Sequence, residues 1–570
     1  MEKELISFIK ESKLSPFEKT NSLKMDKSIF KTKEAREIYA KVIEKIEKNF
    51  NFESTLEIIN YLGISQDKTE IERRQNYFKH LNKEDYSFLR NLTKPKSNWK
   101  PKYEVVVVTE DEKTFNELKN LDCPVKILLT DSDIAELQFY DIVQAIECEN
   151  YSLVLERLPQ VVFIDSIEEV YLERYVELFA GWMDNLNIII NKCTNIEILK
   201  IAESLTPLFE LAQNIDKEKI KRADVEGILD KINSEIEIEL KDINITGTNF
   251  FNMLKKGDFP EEIKKVISKS VRNSGFSEEF FNFSVPVSID EEALEKKLRE
   301  QDIGGFMVYS QKINKNSHIL KNLISIISDL ETHLIIADFK FGILQWNEVN
   351  NFFPEISDEF LIDNSRNIFL PNPQPISFHL DSNNKCSILT GANSGGKTTL
   401  LEHILQILSI SYLSLPLNSN IKIPIFKEVY YFAKNKGSAT RGAFENLLTQ
   451  MAQIEKADNS LILADEIEAV TEPGVAGKII SASAEFFINK GCFLVIATHL
   501  GHEIIKRLPK NARIDGIEAK GLNEFNELIV DHNPFLGRLA HSTPELIVEK
   551  MARTTDKEYF RYLNDYLKNY

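Results

Sequence analysis

Ser387-Ile-Leu-Thr390 is an apolar strand that runs into Gly391-Ala392-Asn393-Ser394-Gly395-Gly396-Lys397-Thr398-Thr399, and an apolar, helix-period run follows at Leu400, Leu401, Ile404, Leu405, Ile407 and Leu408. Strand, glycine-rich loop and helix in this order are the context that the pattern G-x-x-x-x-G-K-[ST] requires before it is read as a phosphate-binding loop. The residue types follow from the chemistry. Glycines let backbone N–H groups approach phosphate closely, the helix N-terminus adds partial positive charge, Lys397 reaches the β and γ phosphates, and Thr398 offers a hydroxyl to Mg2+. The loop therefore predicts an ATP- and Mg2+-dependent enzyme, with Lys397 exposed when the site is empty.

Two more strands end in groups that suit the same chemistry. Ser460-Leu-Ile-Leu-Ala-Asp465-Glu466 is a buried-type strand closed by two acids. Asp465 is expected to hold Mg2+ through water, and Glu466 to orient the attacking water as the catalytic carboxylate. Phe493-Leu-Val-Ile-Ala-Thr-His499 ends in a histidine placed to sense the γ phosphate. A strand ending in Asp-Glu or in His is weak evidence by itself, and the combination carries the reading.

Together these segments resemble the MutS family of ATPases. Thr390-Gly-Ala-Asn-Ser-Gly-Gly-Lys-Thr-Thr399 is similar to its TGPNxGGKS/T loop, Asp465-Glu-Ile-Glu-Ala-Val-Thr-Glu-Pro473 to its DE-x-x-x-x-T motif, and Ala497-Thr-His499 to its ATH switch. Ile362 to Leu370 resembles the approach to the ATPase core, and Gly537 to Ser542 a late C-terminal element. The resemblance covers roughly the last 200 residues. It implies an α/β P-loop ATPase domain of the ABC type at the C-terminus, and a homodimer in which the segment Lys436 to Leu448 reaches the partner's γ phosphate. Ser438, Thr440 and Arg441 are the candidate groups there, and Gly442 permits close approach. The signature reads Arg441-Gly-Ala-Phe444 where the family has Ser-Thr-Phe. The family's mismatch-reading Gly-Asp-Phe-Tyr-Glu motif is absent near the N-terminus. Gly257-Asp-Phe-Pro-Glu-Glu262 lies among helical segments, where Asp258 is read as a helix cap with Pro260 in the first turn. No nuclease-like extension is expected after Tyr570. The chain thus resembles the shorter MutS-like branch without mismatch recognition, including archaeal MutS-related proteins. That resemblance implies clamping of DNA, branched rather than mismatched. Its alternatives are a ribosome-associated ATPase that remodels or splits ribosomes, and a structural clamp without nucleic acid.

The rest of the chain bounds these readings. Its 570 residues exceed what one hydrophobic core supports. With 43% hydrophobic and 28% charged residues, it has the composition of an ordinary soluble protein. No apolar run reaches the roughly 18 residues of a membrane span, and Met1-Glu-Lys-Glu-Leu5 does not start a signal peptide, so a cytoplasmic protein without a membrane partner is expected. Cys123, Cys148, Cys193, Cys386 and Cys492 show no metal or disulfide spacing and read as reduced thiols. A net charge of −18 disfavours general coating of nucleic acid, leaving local basic stretches at Lys94 to Lys102 and Lys255 to Arg272. The divisions expected are a helical region over 1–93, a proline-containing linker at 94–102, and a small α/β connector-like domain over 103–195. Long helices forming a lever or core region follow over 196–340, and the ATPase domain occupies 341–570. In the connector, Val105 to Thr109, Val125 to Leu129, Val161 to Ile164 and Leu186 to Ile190 read as parallel strands.

Overall fold

A computed structural model describes residues 1–19, 29–98, 100, 103–120, 123–212, 221–241, 259–391, 396–433, 448–452, 454, 458–466, 473–522, 528–540, 544–555 and 557–569. It is a mixed α/β structure with parallel sheets and many helices. The chain forms two compact units. One comprises residues 1–93, 192–198 and 328–570, the other 94–191 and 199–327.

In the first unit, α1 (Glu2–Glu11) and α2 (Lys33–Glu47) precede α3 (Leu56–Leu62) and α4 (Lys68–Lys79). On α2 the apolar residues recur at helical spacing, and Ile38, Tyr39, Val42, Ile43 and Ile46 are all buried. They share one core cluster with Leu400, Leu401, Ile404, Leu405 and Leu408. The first 93 residues are therefore not a separate helical body, because their apolar face is covered by the helix that follows the glycine-rich loop.

The second unit contains β1 (Val105–Thr109), β2 (Val125–Ile127), β3 (Ile142–Ala145) and β4 (Val161–Phe163), a parallel sheet in the order β2-β1-β3-β4. Three of the four expected strands are present. Leu186 to Ile190 is instead helical, inside α5 (Glu173–Lys192). There Val176, Phe179, Trp182, Leu186 and Ile189 are buried at spacings of three and four, so helical period overrides the local β-branched run. The strand missed is Ile142 to Ala145, a run too short and too interrupted by Gln144 to stand out. Farther along, α6 (Arg222–Leu240), α7 (Glu261–Asn273) and α8 (Glu291–Lys315) pack through Val225, Ile232, Ile263, Ile267 and Leu294. Asp258 lies outside the described residues, and Pro260 is the N-cap of α7 rather than a first-turn residue. On α7, Lys269 pairs with Glu239 at 2.7 Å and Arg272 with Glu278 at 2.6 Å.

Returning to the first unit, α9 (Leu323–Val349) contributes residues 328–349, and residue 341 falls inside that helix. Next come β5 (Glu355–Ile356), β6 (Phe360–Ser365), β7 (Ile376–Leu380), β8 (Cys386–Gly391), α10 (Lys397–Tyr412), β9 (Ile421–Ile423) and β10 (Val429–Phe432). The chain continues through β11 (Leu461–Asp465), α11 (Pro473–Asn489), β12 (Phe493–Ala497), β13 (Ala512–Leu522) and β14 (Leu528–Phe535). The main sheet has the order β10-β11-β12-β8-β13-β14, parallel except for the final pair. Its fully buried strands read as continuous apolar runs, as a sheet covered on both faces requires. The edge at β10 is extended by the N-terminal segment. Phe30 bridges Val429 in parallel, with Lys31 N–H donating to the Val429 carbonyl at 3.0 Å and Val429 N–H to the Ile29 carbonyl at 2.9 Å. Helix α10 is buried all round because the sheet covers one side and α2 the other.

Candidate functional site

Strand β8 occupies the middle of the sheet, and its register sets the site. Ala497 is opposite both Leu389 and Asp465, so β8, β12 and β11 end at one level. Ligands of open parallel sheets collect at such carboxyl ends.

Gly391 closes β8 with φ 133°, and a Cβ there would lie 2.3 Å from the Ile517 carbonyl oxygen, so only glycine fits. Gly396 starts α10 with φ 91°, and a Cβ there would meet His532 Nδ1 at 2.8 Å. Ala392, Asn393, Ser394 and Gly395 lie outside the described residues. Lys397 is 3% exposed, and its Nζ donates to the Gly391 carbonyl at 2.5 Å. The expected exposure of this lysine is thus corrected: the carbonyl at the start of the loop draws its ammonium inward, tying the loop's two ends together.

Thr398 Oγ1 donates to Asp465 Oδ2 at 2.6 Å. A hydroxyl and a nearly buried carboxylate in contact are an oxygen donor set suited to a hard divalent cation such as Mg2+. Glu466 follows in the left-handed region with φ 46°, its N–H donating to the Ala497 carbonyl at 2.9 Å. This conformation, costing on the order of 1–3 kcal/mol for a non-glycine residue, separates the two acids. Asp465 meets Thr398, whereas Glu466 Oε1 lies 2.8 Å from His499 Nε2 at the end of β12. The sequence-predicted residues Gly391, Gly396, Lys397, Thr398, Asp465, Glu466 and His499 therefore lie at the same end of the sheet. Ser438, Thr440 and Arg441 lie outside the described residues.

Beside Lys397, Thr398 and Thr399 is a cavity of about 320 Å³ whose other wall is Asn367, Leu370, Pro373, Gln374, Ile376 and His532. Sequence motifs gave only the neighbourhood of Leu370. His532 comes from β14 and is placed by its N–H, which donates to Gln374 Oε1 at 3.1 Å. Gln374 Nε2 donates in turn to Asp531 Oδ1 at 2.6 Å. Burial raises the Asp531 carboxyl, but Lys520 at 2.6 Å and the Gln374 bond outweigh it and hold the group below its ordinary value. No single local signal marks these residues: a hairpin between His499 and the Gly537 element delivers Asp531 and His532, and the loop before β7 delivers Gln374.

The late element Gly537 to Ala540 docks against the strand that feeds the loop. Ala540 N–H donates to Thr390 Oγ1 at 3.1 Å, and Gly537 N–H to Asp515 Oδ1 at 2.8 Å. Asp515 is fully buried and also takes Ser387 Oγ at 2.5 Å and Arg513 Nε at 2.9 Å. Ser542 lies outside the described residues.

No protein-family model matches the chain. Individual proteins do. "DNA-binding protein MutS2" of Pyrococcus furiosus is 29% identical over 94% of this chain and 99% of its own length. "Endonuclease MutS2" of Clostridium kluyveri is 28% identical over 37% of this chain, which spans 28% of that protein. The Clostridium perfringens protein of the same name is 27% identical over 33% of this chain and 25% of its own length. The chain resembles the MutS family in its shorter branch, and over nearly its whole length it is similar to archaeal MutS2.

Proposed function

We propose that this chain binds and hydrolyses ATP with Mg2+ in the cavity beside Lys397, and that a homodimer couples turnover to clamping DNA, branched rather than mismatched. The observation that supports the reading best is the convergence of Lys397, Thr398, Asp465, Glu466 and His499 at the ends of three adjacent parallel strands.

In this reading Lys397 exchanges its bond to the Gly391 carbonyl for the β and γ phosphate oxygens. Thr398 and Asp465 hold the magnesium ion, which supplies positive charge against the phosphates. Glu466 orients the attacking water and accepts its proton, while His499 fixes the Glu466 carboxylate beside the place where γ-phosphate charge develops. Leu370, Pro373 and Ile376, together with the His532 ring, offer an apolar, partly planar wall to the base.

The nucleic-acid half rests on the names of the relatives, one a DNA-binding protein and others endonucleases. The net charge of −18 requires that phosphate contacts be confined to local basic stretches. ATP affinity and DNA affinity of the wild type and of Lys397→Ala test both halves. The expected wild type hydrolyses ATP and binds a four-way junction more tightly than linear duplex, with affinity falling steeply as salt rises. Lys397→Ala should bind ATP about ten- to a hundredfold more weakly. Unchanged ATP affinity in a folded variant would sink the nucleotide assignment. Equal or absent binding to the two DNAs at low salt would sink the DNA assignment.

A further inference from the structure

Behind the proposed nucleotide cavity, a second one of about 490 Å³ opens between α2, the end of α9 and the segment after β6. Its cations are Lys45, Lys48 and Arg366, all exposed, and no carboxylate is among its twelve lining residues. Among the described residues none of the three cations forms an ion pair. The remaining polar lining consists of amides, including Asn49, Asn350 and Asn418. The floor is apolar: Trp346 is 5% exposed, with its Nε1 donating to the Pro416 carbonyl at 2.9 Å, and Ile368 lies beside it.

We propose that this cavity is a second ligand site for a small phosphorylated molecule of the nucleoside phosphate class. Lys45, Lys48 and Arg366 would meet the phosphate, and Trp346 with Ile368 the apolar face of the base. Three cations lining one cavity, none of them in an ion pair among the described residues, suit a phosphate, since charge-assisted hydrogen bonds are the strong ones and none of these cations must first give up an ion-pair partner. The volume falls in the range of small-molecule pockets and is too small for duplex nucleic acid.

The two cavities share a wall. Asn367 and Pro373 line both. Asn367 Oδ1 accepts from Gln406 Nε2 at 3.0 Å, and Ile368 N–H donates to Gln406 Oε1 at 3.1 Å. Gln406 belongs to α10, the helix that begins with Lys397. The two cavities thus meet at one buried amide, and the second site does not itself rest on the nucleotide reading.

Calorimetric titration of ADP with Mg2+ separates the possibilities. Wild type should show two sites per chain. The triple variant Lys45→Ala, Lys48→Ala, Arg366→Ala should weaken one of them at least tenfold and leave the other within twofold. Lys397→Ala should do the converse. A single wild-type site removed by Lys397→Ala overturns the second site, as do two sites that the triple variant leaves untouched. A single site lost in the triple variant but kept in Lys397→Ala supports the second site and overturns the nucleotide reading. No binding at all overturns both.

Discussion

Glu466 combines a left-handed backbone with a hydrogen bond to His499, and each half of that arrangement has a measurable consequence. Glu466→Gln keeps the size and a partner for His499 but removes the proton-accepting charge. ATP should bind with near wild-type affinity while turnover falls about a hundredfold or more. Wild-type turnover in this variant would move the catalytic role elsewhere. His403, on the same helix as Lys397, titrates instead of reacting. It is almost wholly buried, and burial holds its imidazole down at about 4, against a small opposing hydrogen bond from Gln406. Between pH 6.5, the ordinary value, and pH 4 the unfolded chain binds the proton more readily than the folded one. The contribution of His403 is therefore complete above pH 6.5 and is lost as pH falls toward 4, at about 1.4 kcal/mol per pH unit. Melting temperatures of wild type and His403→Gln at pH 7.5 and 5 should differ in slope, with the variant less sensitive to acid. Equal slopes would place the acid sensitivity in other groups.

Among the elements, α9 is held to the N-terminal segment by a buried carboxylate as well as by surface pairs such as Lys10 with Asp329. Asp338 is fully buried and accepts the N–H groups of Asn51 and Phe52, the Asn51 amide at 2.7 Å and the Thr55 hydroxyl at 2.7 Å. Burial pushes its carboxyl above the usual range, and these four donors oppose that shift. Asp338→Asn turns an amide donor toward donors and should cost about 2–4 kcal/mol in a denaturant titration. A loss below about 0.5 kcal/mol would mean that the cluster rearranges freely. Nothing near Asp338 in sequence announces this contact, because its partners lie almost three hundred residues away. Legibility follows that division. Strands β8, β11 and β12 could be read because each is a fully buried apolar run ending in a chemically marked residue. Leu186 to Ile190 reads as a strand because three consecutive β-branched residues outweigh, locally, a helical period extending back to Val176. In the site, Lys397, Thr398, Asp465, Glu466 and His499 carried motif signals. Asn367 fell only inside the Ile362 to Leu370 stretch, and His532 and Gln374 carried no signal, since their roles depend on a hairpin and a loop folding back over Gly396.

At the scale of the whole molecule, the composite site of a homodimer remains the reading with the largest kinetic consequence. A cation supplied in trans raises phosphoryl-transfer rates by roughly a thousandfold or more. If Arg441 acts across the dimer, mixing a Lys397→Ala subunit with an Arg441→Ala subunit should restore activity that neither has alone. No recovery despite demonstrated subunit exchange counts against sharing. The bridge between Phe30 and Val429 has a consequence of another kind. About 400 residues separate the two in sequence. At about 5–20 residues per second, translation needs on the order of 20–80 s to deliver the second after the first. For most of that interval Ile38, Tyr39, Val42, Ile43 and Ile46 have been made but the helix over Lys397–Tyr412 that will cover them has not. The apolar face of α2 is thus made long before the helix that shelters it, and a newly made chain exposes that face until α10 arrives.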